Sequence, residues 1–331
     1  MKVRTFLWAV LVTILLVITP QQMLAARAIK IFILSGQSNM IGHGKIEGTS
    51  RRVKPDRQNP PVGTLRYLVN KNPRKYGPLV DRSGAWVSRD DVWCWSRNTN
   101  GVQGKRNYAV DDARGALSVQ FGQDADKFGP ELAFGHVVGE RYKEPVVLIK
   151  MAWGGRSLAK NFRPPTAVEK RGGEVGPEYK LMLAYYEEAM RDIKSQFRRQ
   201  KFELAGFGWH QGFNDRINPK FTAEYEQNMA DFIADVREAF DAEDLPFVIA
   251  TTGMSVRTPV HKKLVAAQMA MADYKKYRQH HGNVAVVDTT PFYRSKEISP
   301  ANQLHHWNLN AESYYLIGEA MGEAMMKLVG R

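Results

Sequence analysis

The chain has 331 residues, 44% of them hydrophobic and 24% charged, and 47 Lys and Arg against 34 Asp and Glu give a net charge of +13. That apolar share suffices for one elaborated domain or two small ones and excludes a disordered or fibrous chain, while a single cysteine, Cys94, excludes an internal disulfide framework. The basic balance favours anionic partners through long-range attraction, but no zinc-ligand spacing, basic helix or aromatic RNA-binding signature accompanies it, so nucleic acid is not an expected partner.

In chain order, Lys2 and Arg4 precede an apolar run over residues 6–18, followed by Pro20 and the small residues around Ala25, Ala26 and Ala28. These are the three parts of a secretory signal. The run is shorter than the roughly 20 residues a spanning helix needs, so the reading is a signal peptide at 1–26 and a secreted or periplasmic chain with no stable membrane span. Loss of Lys2 and Arg4 with that segment leaves a net charge of +11. Residues 27–331 read as one domain.

Five short apolar runs rich in β-branched residues then follow at 29–34, 145–151, 202–209, 246–252 and 283–288, as buried parallel strands require. Helical patterns separate them at 130–142, 179–197, 223–240 and 264–277, and a last one closes the chain at 311–328. In the third, Tyr225, Met229, Phe232, Ile233, Val236 and Phe240 share one face. The alternation predicts an α/β fold, a three-layer α/β/α sandwich on a five-stranded parallel sheet. Residues 44–123 are too long for an ordinary βα connection. They read as a β-rich insertion after the first strand, a lobe over the active face, where Trp86, Trp93 and Trp95 either pack the insertion or stack on sugar rings.

Chemistry concentrates at the strand ends, where open α/β sheets gather reacting groups. The first strand runs into Gly36-Gln37-Ser38-Asn39-Met40, placing Ser38 as a candidate nucleophile. The second ends in Trp153-Gly154-Gly155-Arg156, whose glycines free backbone N–H groups for an oxyanion. Arg156 either binds an anion or pairs with Glu131. The third ends in His210-Gln211-Gly212-Phe213-Asn214-Asp215 and offers side-chain amides at the same edge. Near the C-terminus His305 and His306 precede the last helix, and a histidine there is a candidate base for Ser38. His43 follows the nucleophile segment, His210 reads as structural, and His280 and His281 read as solvated. No Asp/His spacing points to a metal.

Taken in order, these four blocks resemble those of SGNH hydrolases, and more narrowly the sialate O-acetylesterase-like domain that includes carbohydrate esterase family 6 acetylxylan esterases. The resemblance spans about 29–328 and implies a flavodoxin-like SGNH fold, no cofactor, and an acetylated carbohydrate or polysaccharide as substrate. It implies Ser38 as nucleophile, and an oxyanion held by the N–H of Ser38, the N–H of Gly155 or Gly154, and the amide of Gln211, with Asn214 as competitor. Gln37, Asn39 and Arg156 are candidate substrate contacts. His306 is favoured as base over His305 because His-x-x-x-Asn-Ala before the closing helix matches relatives. Two departures stand out. Phe213 replaces an acid in the third block, and the Asp three residues before the base is missing, with Gln303 before His306 and Asn302 before His305. The third triad member therefore stays open, with Asp288 as one candidate. The expected function is a serine esterase removing O-acetyl groups from a sugar, with the basic charge tilting toward an anionic one. A decayed carbohydrate-binding protein and a lipase or thioesterase are the alternatives.

Overall fold

The computed structural model describes residues 28–48, 56–101, 105–106, 108–255 and 258–330; the signal segment expected at 1–26 lies outside them. Among these residues the strands are β1 (Ile29–Gly36), β2 (Gly44–Lys45), β3 (Arg89–Asn100), β4 (Ala109–Leu117), β5 (Lys127–Phe128), β6 (Val146–Trp153), β7 (Phe202–His210), β8 (Phe247–Ala250) and β9 (Val284–Val287). The α-helices are α1 (Ser38–Ile41), α2 (Leu65–Lys71), α3 (Pro73–Tyr76), α4 (Glu131–Gly139), α5 (Pro165–Arg171), α6 (Pro177–Gln196), α7 (Pro219–Ala239), α8 (Pro259–Met269) and α9 (Ala311–Val329). None of the described helices is long and apolar enough to cross a membrane.

The main sheet has the order β4-β3-β6-β1-β7-β8-β9. The five apolar runs became β1, β6, β7, β8 and β9, adjacent and parallel. Successive β1 side chains enter opposite cores: Phe32 and Leu34 pack toward α4 and α9, Ile31 and Ile33 toward α6, α7 and α8. This double burial is why the strand reads as an unbroken apolar run, and it produces the three layers.

The sheet has seven strands rather than five, and the difference lies in the insertion. β3 pairs parallel with β6 and β4 antiparallel with β3, so the insertion's long strands widen the sheet instead of forming a lobe over the active face. Val92 and Cys94 feed one core and Trp95 the other, which ties β3 to the main layers. The tryptophans are engaged in packing. Trp95 is buried and donates to Asp192 at 2.9 Å, Trp93 meets Phe197 edge-on, and Trp86 donates to Glu47 at 2.9 Å beneath the Arg66 guanidinium. α8 stops earlier than its pattern suggests, because the Asp273 side chain accepts from the N–H of Lys275 at 3.0 Å and turns the chain. His280, expected in solvent, is buried with Nδ1 2.9 Å from the carbonyl of Met271.

One charge sits where the strand pattern predicts none. Lys150, on β6, and Glu131, at the start of α4, are both fully buried and paired at 2.7 Å. The ammonium also donates to the carbonyls of Ile41 (2.6 Å) and Phe121 (2.7 Å), and Glu131 accepts from the N–H of Gly129 (2.8 Å). The pair thus ties β6 to the end of α1 and the start of α4. Removing one member of such a pair strands a buried charge. Glu131→Gln is therefore expected to lower unfolding free energy by about 3–5 kcal/mol in a urea titration, and adding Lys150→Met should restore part of that loss. A double variant as unstable as the sum of the singles would contradict the pairing.

Candidate active site

The sheet register brings three strand ends to one level. Gly36 of β1 lies opposite Ala152 of β6 and His210 of β7. Ser38, Gly154–Gly155 and Gly212 thus follow at nearly equal steps along one edge. A Cβ at Gly36 would lie 2.2 Å from the His210 carbonyl oxygen, so only glycine lets β1 and β7 approach this closely before the turn. Gln37 then caps the short helix α1, its carbonyl accepting from Met40 (2.7 Å) and Ile41 (3.1 Å). Ser38, first residue of that helix, is nearly buried. Its backbone N–H has no hydrogen-bond partner among the described residues, as expected at a helix start, and neither has that of Gly155 in the turn after β6.

The two amides flanking Ser38 position the other blocks. The side-chain oxygen of Gln37 accepts from the N–H of Gly212 (3.1 Å) and of Asn214 (3.2 Å), fixing the loop after β7. Asn39 donates to the carbonyl of His305 at 3.1 Å and accepts from the Tyr314 hydroxyl of α9 at 2.8 Å, fixing the histidine loop. Both side chains are buried and engaged. These bonds brace the loops on either side of the serine.

Of the two histidines, His306 is the one that meets the segment following the serine helix. Its ring stacks on His43, which follows α1, at 3.8 Å between centroids and 7° between planes. His305 is exposed and packs on Phe213 at 6.0 Å. Burial pushes His306 down to about 3, helped by the charges of His305 and Lys127, and burial holds His43 well below the usual imidazole value. Both rings are therefore neutral near pH 7. The loop itself is strained, with Trp307, Asn308 and Leu309 all in the left-handed region.

Among the described residues no acid is hydrogen-bonded to His306 Nδ1. His306 Nδ1 is buried with no hydrogen-bond partner among the described residues. Gln303 approaches only through its carbonyl, which accepts from the N–H of His306 at 2.8 Å. Asp288, the candidate triad acid, is exposed and accepts from Thr290 N–H at 2.9 Å.

Gln211 also departs from its expected place. It is fully buried, and its amide donates to Asp215 (2.7 Å) and to the carbonyl of Arg156 (2.8 Å), which occupies both N–H groups. Asp215 accepts from the N–H of Leu158 and Ala159, both at 2.9 Å, locking the loop after Gly155. Burial raises its carboxyl to about 6 despite these donors. Asn214, the competitor, lies at the edge itself, with Nδ2 2.5 Å from the Gly155 carbonyl. Gly155 has φ +68°, which suits glycine, and Gly154 is held by a 2.8 Å bond from its N–H to Thr99. Arg156 pairs with Glu178 instead of Glu131 and donates to the carbonyls of Gly154 and Gly101, so it is a structural clamp. His210 is buried, with Nδ1 3.1 Å from the Ala250 carbonyl, a structural role as read from sequence. Asp215, the acid that ends the third block, has no role in the sequence reading although it stands in the motif; the stacking of His43 on His306 leaves no sequence signal.

Among the described residues no group of three or more His, Cys, Asp or Glu is arranged to hold a metal ion. A family model described as "Carbohydrate esterase, sialic acid-specific acetylesterase" matches residues 28–327. Three solved structures share the fold. A protein of Arabidopsis thaliana is 19% identical with TM-score 0.54, covering 91% of this chain and 98% of its own. A carbohydrate acetylesterase from Xanthomonas citri is 12% identical with TM-score 0.51, and the match spans 91% of this chain but 56% of that one. NanS is 14% identical with TM-score 0.50, over 91% and 97%. No match was found among curated protein sequences.

The braces at Ser38 make a stability prediction. Gln37→Leu leaves the N–H groups of Gly212 and Asn214 without an acceptor and is expected to lower stability by about 1–3 kcal/mol. Amide hydrogen exchange at those two residues should accelerate. Gln37→Glu keeps an accepting oxygen and should lose less; equal loss in the two variants would contradict the brace.

Proposed function

The chain belongs to the sialic acid-specific acetylesterase family of carbohydrate esterases, a carboxylic ester hydrolase, and from that premise we propose that it removes O-acetyl groups from a sugar with Ser38 as nucleophile and His306 as base. The observation that carries this reading is the neutral His306 ring beside the serine helix, stacked on His43 and held by the Asn39 bond to the neighbouring carbonyl. With Nδ1 buried, Nε2 is the nitrogen that meets the reacting groups.

The Ser38 oxygen attacks the acetyl carbonyl carbon while His306 Nε2 takes the hydroxyl proton. The N–H groups of Ser38 and Gly155 and the amide of Asn214 stabilise the oxyanion; fixed donors aimed at developing charge are usually the largest single contribution. His306 returns the proton to the sugar oxygen, which leaves. Water, deprotonated by the same ring, then attacks the acetyl-enzyme, and acetate departs with Ser38 restored. Without an acid on Nδ1, the stacked His43 ring and the strained loop are what hold the imidazole in place. The segment at 1–26 supports export, so the substrate is met outside the cytoplasm.

Ser38→Ala and His306→Ala are each expected to lower kcat/KM for 4-nitrophenyl acetate by about 10³-fold or more, and His305→Ala by less than about ten-fold. A variant at Ser38 with wild-type turnover would sink the reading.

The pH profile is set by the same ring. A base works deprotonated, and His306 is held near 3, so the acid limb of kcat/KM moves below that of an ordinary histidine. Activity should stay level between about pH 5 and 8. A limb centred at an unshifted imidazole value of about 6.5 would contradict it.

A further inference from the structure

Near His305, the neighbour of the proposed base, lies a guanidinium that no acid pairs among the described residues. Arg216 sits 3.8 Å above the ring of Phe213, whose other neighbours are His305 (6.0 Å) and His261 (5.8 Å). His305 in turn lies 4.2 Å from His306. Arg216 is half-buried, and its Nε is buried with no hydrogen-bond partner among the described residues. Burial alone acts on its charge, with no acid opposing it among the described residues; His305 and His261 are pushed down mainly by burial, with that charge adding to it.

The neighbouring acid does not serve it, because Asp215 is turned to Leu158, Ala159 and Gln211. Two nearby arginines show the contrast. Arg156 is tied to Glu178, and Arg163 to Glu224 and three carbonyls. Burying part of a cation without a partner is unfavourable unless a ligand supplies the charge. A guanidinium presents paired donors that match carboxylate or sulfate oxygens.

Building on the esterase reading above, we propose that Arg216 is a specificity-determining residue that receives an anionic substituent, a carboxylate or a sulfate, carried by the acetylated sugar. The contact orients the ester toward Ser38, so binding energy at a remote group is expressed as turnover.

The test compares kcat/KM of the full chain for three acetylated sugars: a methyl hexuronide with a free carboxylate, its neutral methyl ester, and a hexoside 6-sulfate. The wild type should favour one or both anions over the neutral ester by about ten- to a hundred-fold. Which anion gains tells carboxylate from sulfate. Arg216→Gln should bring the ratio close to one, and Arg216→Lys, a point charge without the fork, should keep part of it. Turnover of all three with equal efficiency, or an unchanged ratio in Arg216→Gln, overturns this proposal and leaves the esterase standing. If no ester is turned over, the esterase reading fails instead. Calorimetry with free hexuronate then decides the anion site: binding lost in Arg216→Gln supports it, and no binding by the wild type overturns it.

Discussion

The site depends on the side-chain oxygen of Gln37, which accepts from the N–H groups of Gly212 and Asn214 while its own backbone opens the helix of Ser38. One residue thereby fixes the distance between the first and third strand ends. Asn39, two positions on, does the same for the histidine loop through the carbonyl of His305. The serine segment, the loop after β7 and the histidine loop are far apart in sequence, and the two amides flanking the serine reach across 175 to 266 residues to hold them in register. Preorganisation of this kind lets fixed donors act without rearrangement during reaction.

Beneath the braces lies the Lys150–Glu131 pair, which holds the end of α1 from below through the Ile41 carbonyl. The serine helix has only four residues and little stability of its own. It stays in place because its N-terminal end meets β7 through Gly36 and its C-terminal end meets a buried ammonium. Asp215 completes the frame by locking the loop that follows Gly155.

Much of this was legible in the sequence. The five apolar runs are the five central strands, since burial on both faces writes itself as an unbroken hydrophobic segment. The four blocks at strand ends were legible as candidate chemistry for the same topological reason. What escaped depends on partners distant in sequence. Val92, Cys94 and Trp95 alternate as any strand would, and nothing local says that β3 joins the edge of β6 instead of a separate lobe. Gln211 and Arg156 carry the right groups, but only the fold shows them bound to Asp215 and Glu178. Likewise the stacking of His43 on His306 and the isolation of Arg216 arise where loops converge.

The proposed mechanism activates Ser38 through His306 with no acid behind it. It is tested most directly by reacting the protein with a fluorophosphonate ester and mapping the adduct by peptide mass spectrometry. The account predicts one phosphonyl group on Ser38, formed at a rate that falls by about 10³-fold in His306→Ala and little in His305→Ala. An adduct on another residue, or one that forms on Ser38 at the same rate without His306, would contradict it.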